Sequence, residues 1–357
     1  MSREPKTLDD LDTPAVVIDL DIVDCNLRRW QDYCDSHGLA NRPHIKTHKV
    51  PELAQLQRDL GAKGITCQTL GEAEVMADHG FDDILITYNI LGAAKLARLR
   101  ALHDRIHLRV GCDSDVALDQ LKDAAAGLER PIEVVVECDS GALRCGVVDP
   151  EQAVDLAEKL DRAAGLKFAG LFTYPPKMKP EAAQVFFEET LGRLNAKGLE
   201  AEIVSNGGTP DMWRAHEVNL ATEHRVGTYI YNDLMQVAAG AASLEDCALT
   251  VLATVVSRAE SERGVIDAGS KSLTSDLGGQ TGHGRMVEYP DAVIHGLSEE
   301  HGHVDFSRAG ERPKIGERVR IIPNHVCPVS NLVDRVFCMR NDQVERSFAV
   351  AARGKTS

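Results

Sequence analysis

The sequence predicts an α/β protein in which a (β/α)8 barrel is joined to a second, all-β domain. From residue 20 to about 235, segments of helical period alternate with short apolar runs, which is the pattern of repeated βα units. Beyond residue 240, runs such as "CALTVLATVVSRA" and "ERVRIIP" are rich in β-branched residues and are separated by Gly, Pro and Asp turns. Eight parallel strands over roughly 200 residues meet the requirement of a barrel. We therefore place the barrel at 20–240 and the β domain at 1–19 plus 241–357.

Three helices of the barrel are marked by their ends. "DIVDCNLRRWQDYCDSHG" offers Asp21 as an N-cap and Gly38 as a stop. "VPELAQLQRDLGA" has Pro51 in its first turn, and "DPEQAVDLAEKLDRAAG" repeats the Asp-Pro start and the Gly stop. Ahead of the first helix, "DTPAVVIDL" (12–20) reads as a strand that joins the β domain.

Composition excludes several classes of function. The chain has 357 residues, with 40 Lys and Arg against 55 Asp and Glu and a formal charge of -15, so a diffuse electrostatic grip on nucleic acid is not expected. The first residues lack an apolar signal region, and no run approaches the roughly 18 apolar residues of a membrane span. We expect a cytoplasmic protein that binds no membrane. The nine cysteines form no CxxC pair, which argues against a disulfide framework or a zinc ribbon.

The predicted carboxyl ends of the eight strands are unusually polar. In a (β/α)8 barrel the catalytic groups lie at these ends. The predicted ends fall near Lys46, Gln68, Tyr88, Asp113, Asp139, Tyr174, Asn206 and Gly227. Any one of these residues is equally consistent with an ordinary hydrophilic loop, whereas the whole set indicates a site.

A candidate phosphate site follows the seventh predicted strand. In "SNGGTPDMW", Gly207 and Gly208 let backbone N–H groups approach an anion, and Thr209 adds a hydroxyl donor. Loops after strands seven and eight of such barrels commonly bind phosphate. The next unit, "EHRVGTYIYND", places Tyr229 and Tyr231 where they could complete the same cradle. The alternative is that this Gly-Gly pair forms an ordinary turn that binds no ligand.

A lysine at the first strand end completes the pattern. Lys46 lies in "RPHIKTHKV", and a phosphate site together with a lysine suggests pyridoxal 5'-phosphate (PLP), whose aldehyde forms a Schiff base with a lysine amine. For that task the Lys46 amine must be partly desolvated, although solvent exposure is the usual state of a lysine.

The motifs of this chain, taken together, resemble those of a known family. "RPHIKTHK", "DSGALRCG", "SNGGTP", "GTYIYNDLMQ" and "PNHVCPVSNLVD" are similar to those of the fold-type III PLP enzymes of the D-threonine aldolase and D-serine dehydratase group. Their barrel is akin to that of alanine racemase. The motifs run in the family's order from Asp12 to about Gly354. The resemblance implies a PLP-binding barrel, a β domain that carries a divalent metal, and a homodimer.

The resemblance also implies roles for single residues. Lys46 matches the Schiff-base lysine that also moves the proton at Cα, and Tyr174 matches a residue directed at the cofactor ring. Gly207, Gly208, Thr209 and Tyr229 would hold the phosphate. Arg144 would face the phenolic oxygen of PLP, with an ion pair to Asp139 as an equally good alternative. The full cofactor-binding set that we predict is Lys46, His44, Gln68, Arg144, Tyr174, Asn206, Gly207, Gly208, Thr209 and Tyr229.

The predicted metal ligands are His325 and Cys327. They are two residues apart, so on an extended segment both side chains point the same way and can bind one ion. An isolated His-x-Cys is usually two unrelated core residues, but this one lies within a family motif. A thiolate with an imidazole suits zinc, with manganese or cobalt as replacements. The remaining positions would be filled by water or substrate.

The expected function is a lyase acting on a small β-hydroxy D-amino acid. Dehydration and deamination, as in D-serine or D-3-hydroxyaspartate dehydratases, would give a 2-oxo acid and ammonia. The alternative is D-threonine aldolase-type cleavage to glycine and an aldehyde; family members of that kind tend to have Asp at the second metal position, so Cys327 favours dehydration. Racemisation and a non-catalytic PLP carrier rank lower. The loop "FTYPPKMKP" departs from the family pattern through the pair Pro175 and Pro176, which leaves the substrate's side chain open.

Overall fold

The computed structural model describes residues 5–357, and these form two compact units. The barrel unit contains residues 30–46, 53–227 and 355–357. The β unit contains the described residues up to Arg29, together with 47–52 and 228–354. Residues 1–4 of the segment predicted as 1–19 lie outside the described residues.

The two units are built from strands and helices that are numbered in chain order. The strands are β1 (Ala15–Asp19), β2 (Ala40–Asn41), β3 (Ile65–Cys67), β4 (Asp83–Asn89), β5 (His107–Cys112), β6 (Ile132–Cys138), β7 (Leu166–Thr173), β8 (Ile203–Gly207), β9 (Glu223–Arg225), β10 (Leu249–Ser257), β11 (Arg263–Ile266), β12 (Arg285–Met286), β13 (Val293–Leu297), β14 (Gly302–Asp305), β15 (Arg318–Ile322), β16 (Arg335–Arg340) and β17 (Gln343–Ala349). The helices are α1 (Leu20–His37), α2 (Pro51–Asp59), α3 (Leu70–Asp78), α4 (Ala93–His103), α5 (Asp115–Ala125), α6 (Pro150–Arg162), α7 (Pro180–Ala196), α8 (Leu234–Ala238), α9 (Ser270–Leu273) and α10 (Val326–Leu332). None of the described helices is both long and apolar enough to cross a membrane.

The barrel unit is a parallel sheet that closes on itself. Its eight strands are ordered β2-β9-β8-β7-β6-β5-β4-β3. A parallel bridge between His44 and Thr66 joins the two ends, and the Thr66 N–H donates to the carbonyl oxygen of Pro43 at 2.8 Å. The predicted (β/α)8 barrel is confirmed.

Local sequence signals set the helix starts. Asp149 caps α6 by accepting the N–H of Glu151, and Pro150 occupies the first turn, where its missing N–H costs nothing. The prediction of Asp21 as the cap of α1 was wrong by two residues. Asp19 is the acceptor instead, since its Oδ1 takes the N–H groups of Asp21 at 2.9 Å and of Ile22 at 3.2 Å.

A charged layer lies inside the amino-terminal end of the barrel. Arg42 is buried and pairs with both Asp83 and Glu223 at 2.6 Å. Arg109 pairs with Asp83 and with Glu133, each at 2.9 Å. Because each charge has at least one opposite partner, the desolvation cost of this layer is offset by ion pairing.

An apolar layer lies above the charges, towards the carboxyl ends of the strands. It consists of Leu85, Val135, Ala169 and Phe172, all buried. Side chains alternate along a strand, so the positions two residues further on face the same interior and approach the end where barrel sites lie. On β6 that position is Glu137, which pairs in register with Phe172.

The β unit is a nine-stranded, mostly antiparallel sheet. Its main path is β13-β14-β11-β10-β1-β16-β17, and β15 pairs with β10 and β12. β1 runs antiparallel to β10 and parallel to β16. The segment predicted at 12–20 therefore contributes a strand to this sheet.

Candidate active site

Lys46 lies close to two other predicted site residues in the barrel unit. It occupies a 3-10 turn, Ile45–Thr47, rather than a strand end, because β2 already ends at Asn41. The Lys46 Nζ lies 3.4 Å from Gln68 Oε1, and the His44 Nε2 lies 3.3 Å from the same oxygen. The Lys46 amine is half-buried and is oriented by the Gln68 amide, as a reacting lysine requires.

The His44 imidazole is neutral in this environment. Burial, and then the positive charges of Lys46, Arg225 and Arg144, hold its pKa well below the ordinary value, against the hydrogen bond with Gln68. Three cationic side chains, Lys46, Arg225 and Arg144, therefore contribute positive charge around the His44 ring. Such a concentration of positive charge favours an anionic ligand.

The Gly-Gly turn after β8 has room for backbone only. Gly208 has φ +121°, and a Cβ there would lie 3.1 Å from the Tyr174 ring. A Cβ at Gly207 would lie 3.0 Å from the guanidinium of Arg225. Glycine is thus required at 208 by both conformation and space. The turn is a cradle that a side chain would fill.

Hydrogen bonds hold the cradle in place. The Gly208 N–H donates to the Arg225 carbonyl oxygen at 2.8 Å, so this N–H is used by the protein rather than offered to an anion. His224 Nε2 lies 3.1 Å from the Gly208 oxygen, and burial lowers the pKa of His224 to about 4, which makes that ring a neutral N–H donor. The Gly227 N–H donates to Thr209 Oγ1 at 3.2 Å.

Arg144 and Tyr174 form a stacked pair. The guanidinium lies 4.8 Å from the centroid of the Tyr174 ring. The alternative partner, Asp139, instead accepts the N–H groups of Gly141 at 2.9 Å and Leu143 at 3.1 Å, which shapes the loop after β6. Among the ion pairs of residues 5–357 there is none between Arg144 and Asp139, so the guanidinium remains available to a ligand.

Asn206 and Tyr229 are buried in different units. Asn206 belongs to β8, and its Oδ1 is a buried oxygen without a hydrogen-bond partner among the described residues. Tyr229 lies in a 3-10 turn, Thr228–Ile230, of the β unit and is 1% exposed. The glycine cradle and the three cations fit a phosphate-bearing cofactor in the barrel.

Two buried ionisable residues were missed by sequence reasoning. Arg225 donates to Ser205 Oγ at 2.5 Å and to the Thr173 oxygen at 2.8 Å, its guanidinium lies 5.2 Å from the Phe172 ring, and burial lowers its pKa to about 10. Burial raises the pKa of Glu137 to about 7. The available signal was a charged residue inside a predicted strand, in "VVVEC" and "EHRVG".

The His-x-Cys motif lies in the β unit at the start of a helix. His325 is the N-cap of α10 with extended φ and ψ, and Cys327 is already helical, so the premise of one extended segment was wrong. The two side chains nevertheless meet. Burial lowers the pKa of His325, but the hydrogen bond with Cys327 and the charge of Cys327, together with the hydrogen bond to Asp276, outweigh it and raise the pKa to about 9.

The donor set of this motif suits a divalent ion of borderline softness. The Cys327 sulfur lies 3.3 Å from Thr47 Oγ1 and 3.9 Å from Thr228 Oγ1. Within residues 5–357 no three His, Cys, Asp or Glu side chains are grouped to hold a metal. A thiolate and an imidazole fit zinc in a site with open positions, the arrangement typical of a catalytic ion.

The fold and the site define an enzyme with an alanine racemase-like barrel. Residues 18–234 match the family model described as "Alanine racemase, N-terminal domain", and residues 248–339 match "Putative serine dehydratase domain". The first match covers more than half of the chain. The chain therefore belongs to the alanine racemase N-terminal domain family.

Three relatives place the chain more closely within that family. The D-threonine aldolase of Arthrobacter sp is 34% identical over 96% of this chain and 93% of its own length. The D-threo-3-hydroxyaspartate dehydratase of Delftia sp. (strain HT23) is 33% identical over 90% of this chain and 92% of its own. The solved structure of D-threonine aldolase from Filomicrobium marinum has a TM-score of 0.93 at 32% identity and covers 100% of both chains.

The Delftia dehydratase has also been solved, and two alanine variants of D-threo-3-hydroxyaspartate dehydratase are among the solved structures. Its structure has a TM-score of 0.88 at 31% identity and covers 96% of this chain and 98% of its own. In two further structures a histidine and a cysteine, two positions apart, are each replaced by alanine, and the cysteine variant is described as metal-free. The predicted family and the predicted enzyme class, a lyase, are confirmed by these comparisons.

Proposed function

We propose that this chain is a PLP- and divalent-metal-dependent lyase that converts a β-hydroxy D-amino acid to a 2-oxo acid and ammonia. Water leaves from Cα and Cβ and is taken up again when the nitrogen is released, so the overall change is loss of ammonia. The single observation that carries dehydration is that the residue paired with His325 is Cys327, whose thiol, rather than an aspartate, would be the second ligand. D-3-hydroxyaspartate and D-serine are the proposed substrates.

The barrel residues have distinct tasks in this proposal. When bound, PLP supplies an electron sink for the charge that develops at Cα. Lys46 holds the cofactor and takes the α-proton, and Gln68 keeps the Lys46 amine in place through the 3.4 Å contact. The Gly207–Thr209 turn, with Asn206, receives the phosphate. Arg144, stacked on Tyr174, provides positive charge towards the cofactor.

The metal would act on the leaving group. An ion bound there would supply Lewis-acid assistance to departure of the β-hydroxyl as hydroxide. His325 and Cys327 would hold that ion, with zinc favoured by the thiolate. Two solved variants of D-threo-3-hydroxyaspartate dehydratase support this assignment, because they replace a histidine and a cysteine at the same spacing of two.

Retro-aldol cleavage is the second candidate, and a specific observation favours it. D-threonine aldolases from two organisms share 34% and 32% identity with the chain over nearly its whole length. In that reaction the Cα–Cβ bond breaks, a base removes the proton of the β-hydroxyl, and glycine and an aldehyde result. The metal ligands and the cofactor site would be shared by both reactions, so the products must decide.

Product identification tests the proposal. Holoenzyme loaded with zinc or manganese is incubated with D-serine, D-threonine and D-3-hydroxyaspartate, and ammonia, 2-oxo acid, glycine and aldehyde are measured. Equal amounts of ammonia and 2-oxo acid support dehydration, whereas glycine with an aldehyde supports cleavage. Lys46→Ala is the control and should form neither set of products. Interconversion of D- and L-amino acid without either set would instead indicate a racemase.

A further inference from the structure

We infer that Asp276 is a positioning residue for the metal, holding the His325 ring so that its Nε2 lone pair is presented to the ion. This inference rests on the proposed function, because it takes His325 and Cys327 as the ligands. It adds a residue that the motif itself does not contain, since Asp276 lies 49 positions before His325 in the sequence.

The contact between the two side chains is direct. His325 Nδ1 lies 2.6 Å from Asp276 Oδ2. A carboxylate accepts only, so Nδ1 carries a ring proton, and loss of the proton at Nε2 on metal binding would leave the lone pair of the neutral imidazole there. A metal binds through such a lone pair, and ligating histidines commonly donate their other N–H to a carboxylate.

The Asp276 carboxylate is fixed by its own surroundings. Its Oδ1 accepts the N–H of Gly278 at 3.1 Å, which leaves Oδ2 turned to the ring, and its own N–H donates to Thr274 Oγ1 at 3.1 Å. Asn324 precedes His325 in the chain. Its side-chain amide donates to the backbone carbonyl oxygen of Asp276 at 3.5 Å and to that of Gly282 at 2.8 Å. The two segments are thus tied together beside the ring.

The exposure of the two side chains indicates that their pairing orients the His325 ring rather than stabilises the fold. The Asp276 side chain is 42% exposed and the His325 side chain 27%. An aspartate with that much access to water gains little from a surface ion pair. Its orientation is therefore set by the turn that contains it, and the pair is suited to orienting a ligand rather than to stabilising the fold.

The second proposed ligand has outer partners of its own. Cys327 lies within hydrogen-bond distance of the Thr47 and Thr228 hydroxyls, and Thr47 is fully buried. Both proposed ligands are therefore oriented by hydrogen bonds from outside the coordination sphere. Removing one outer partner typically lowers metal affinity by roughly ten- to a hundredfold while leaving the ligands in place.

Metal affinity of the PLP-loaded holoenzyme tests the inference. Zinc binding is measured by competition with a chromogenic chelator for wild type, Asp276→Ala, Asp276→Asn and the control Asp291→Ala, which removes an exposed carboxylate of the same unit. We expect affinity to fall about ten- to a hundredfold in Asp276→Ala and less in Asp276→Asn, whose amide oxygen can still accept from Nδ1. Asp291→Ala should match wild type. Unchanged affinity in Asp276→Ala would overturn the inference.

Cobalt substitution separates a positioning residue from a ligand. The thiolate-to-cobalt charge-transfer absorbance should persist in Asp276→Ala at saturating cobalt, with the same number of nitrogen and oxygen neighbours by X-ray absorption. A loss of one neighbour would make Asp276 a ligand and contradict the positioning role. If wild type itself binds no zinc or cobalt, or binds it without Cys327, the proposed function fails instead. The thermal midpoint without metal should be the same for all four proteins.

Discussion

Glu137 provides a test of the barrel interior that does not depend on turnover. Its side chain is 4% exposed, faces the inside of the barrel above Val135, and has no cation within salt-bridge distance among residues 5–357. Burial raises its pKa from 4.5 to about 7, and Arg144 and Arg225 reduce this effect without cancelling it. Glu137→Gln keeps the size of the side chain and removes the ionisation.

The sign of the effect follows from proton binding. Between pH 4.5 and about 7 the folded protein holds the Glu137 proton that the unfolded chain has released, so stability falls as pH rises through this window and stays low above it. A shift of this size corresponds to at most about 3 kcal/mol. Glu137→Gln should therefore be about as stable as wild type near pH 5 and up to about 3 kcal/mol more stable near pH 8.5.

Thermal midpoints measured across pH check this prediction, with wild type and variants in the same cofactor state. For a unit of this size the gain at high pH amounts to about 5 to 10 °C. Glu133→Gln is the matched control on the same face of β6. Despite burial, its hydrogen bond with His107 and the charge of Arg109 hold the pKa of Glu133 below the ordinary value, so this variant should be less stable near neutral pH. An advantage of Glu137→Gln that does not grow with pH would refute the reasoning.

Three further changes test the cofactor residues of the barrel unit and the proposed metal ligands of the β unit. Gly208→Val should release PLP on gel filtration at least about tenfold faster, because a Cβ enters the cradle. Gly198→Val, at another glycine of positive φ but with no atom within 4 Å, should keep PLP. Equal retention in the two variants would move the phosphate elsewhere. Lys46→Ala should lose the borohydride-trapped pyridoxyl adduct that peptide mass spectrometry detects, and Lys49→Ala should keep it. An adduct on Lys49 would contradict the assignment of Lys46 as the Schiff-base lysine. Cys327→Asp should still bind an ion and, by metal analysis, prefer manganese to zinc. The variant should lose ammonia release more than any aldol cleavage. An unchanged metal preference would count against Cys327 as a ligand.

Much of the barrel could be predicted from the sequence, because buried parallel strands read as apolar runs bounded by polar residues. The predicted ends at Gln68, Asp139 and Tyr174 each lie one residue beyond the observed ends of β3, β6 and β7. The predicted end of the first strand, at Lys46, does not match the structure. β2 has only two residues, the barrel closes through a single bridge at His44 beyond β2, and Lys46 lies in the turn that follows.

The parts of the site that escaped prediction depend on contacts between distant residues. Nothing near Asp276 in the sequence indicates that it meets His325, since the pairing arises only when the turn after α9 folds beside α10. Arg225 and Glu137 looked like ordinary strand charges, because a single strand does not show which of its faces points into a barrel. The helix start at Val326 was missed since His-x-Cys suits a strand equally well.

Removal of the metal from the holoenzyme tests the central claim most directly. After exhaustive chelation, release of ammonia and 2-oxo acid from D-3-hydroxyaspartate or D-serine should be abolished, and added zinc should restore it. The visible absorbance of bound PLP and the far-ultraviolet circular dichroism should stay unchanged throughout, because the cofactor residues of the barrel do not include the proposed metal ligands. Full ammonia release by the metal-free holoenzyme would contradict the account of a metal-dependent lyase.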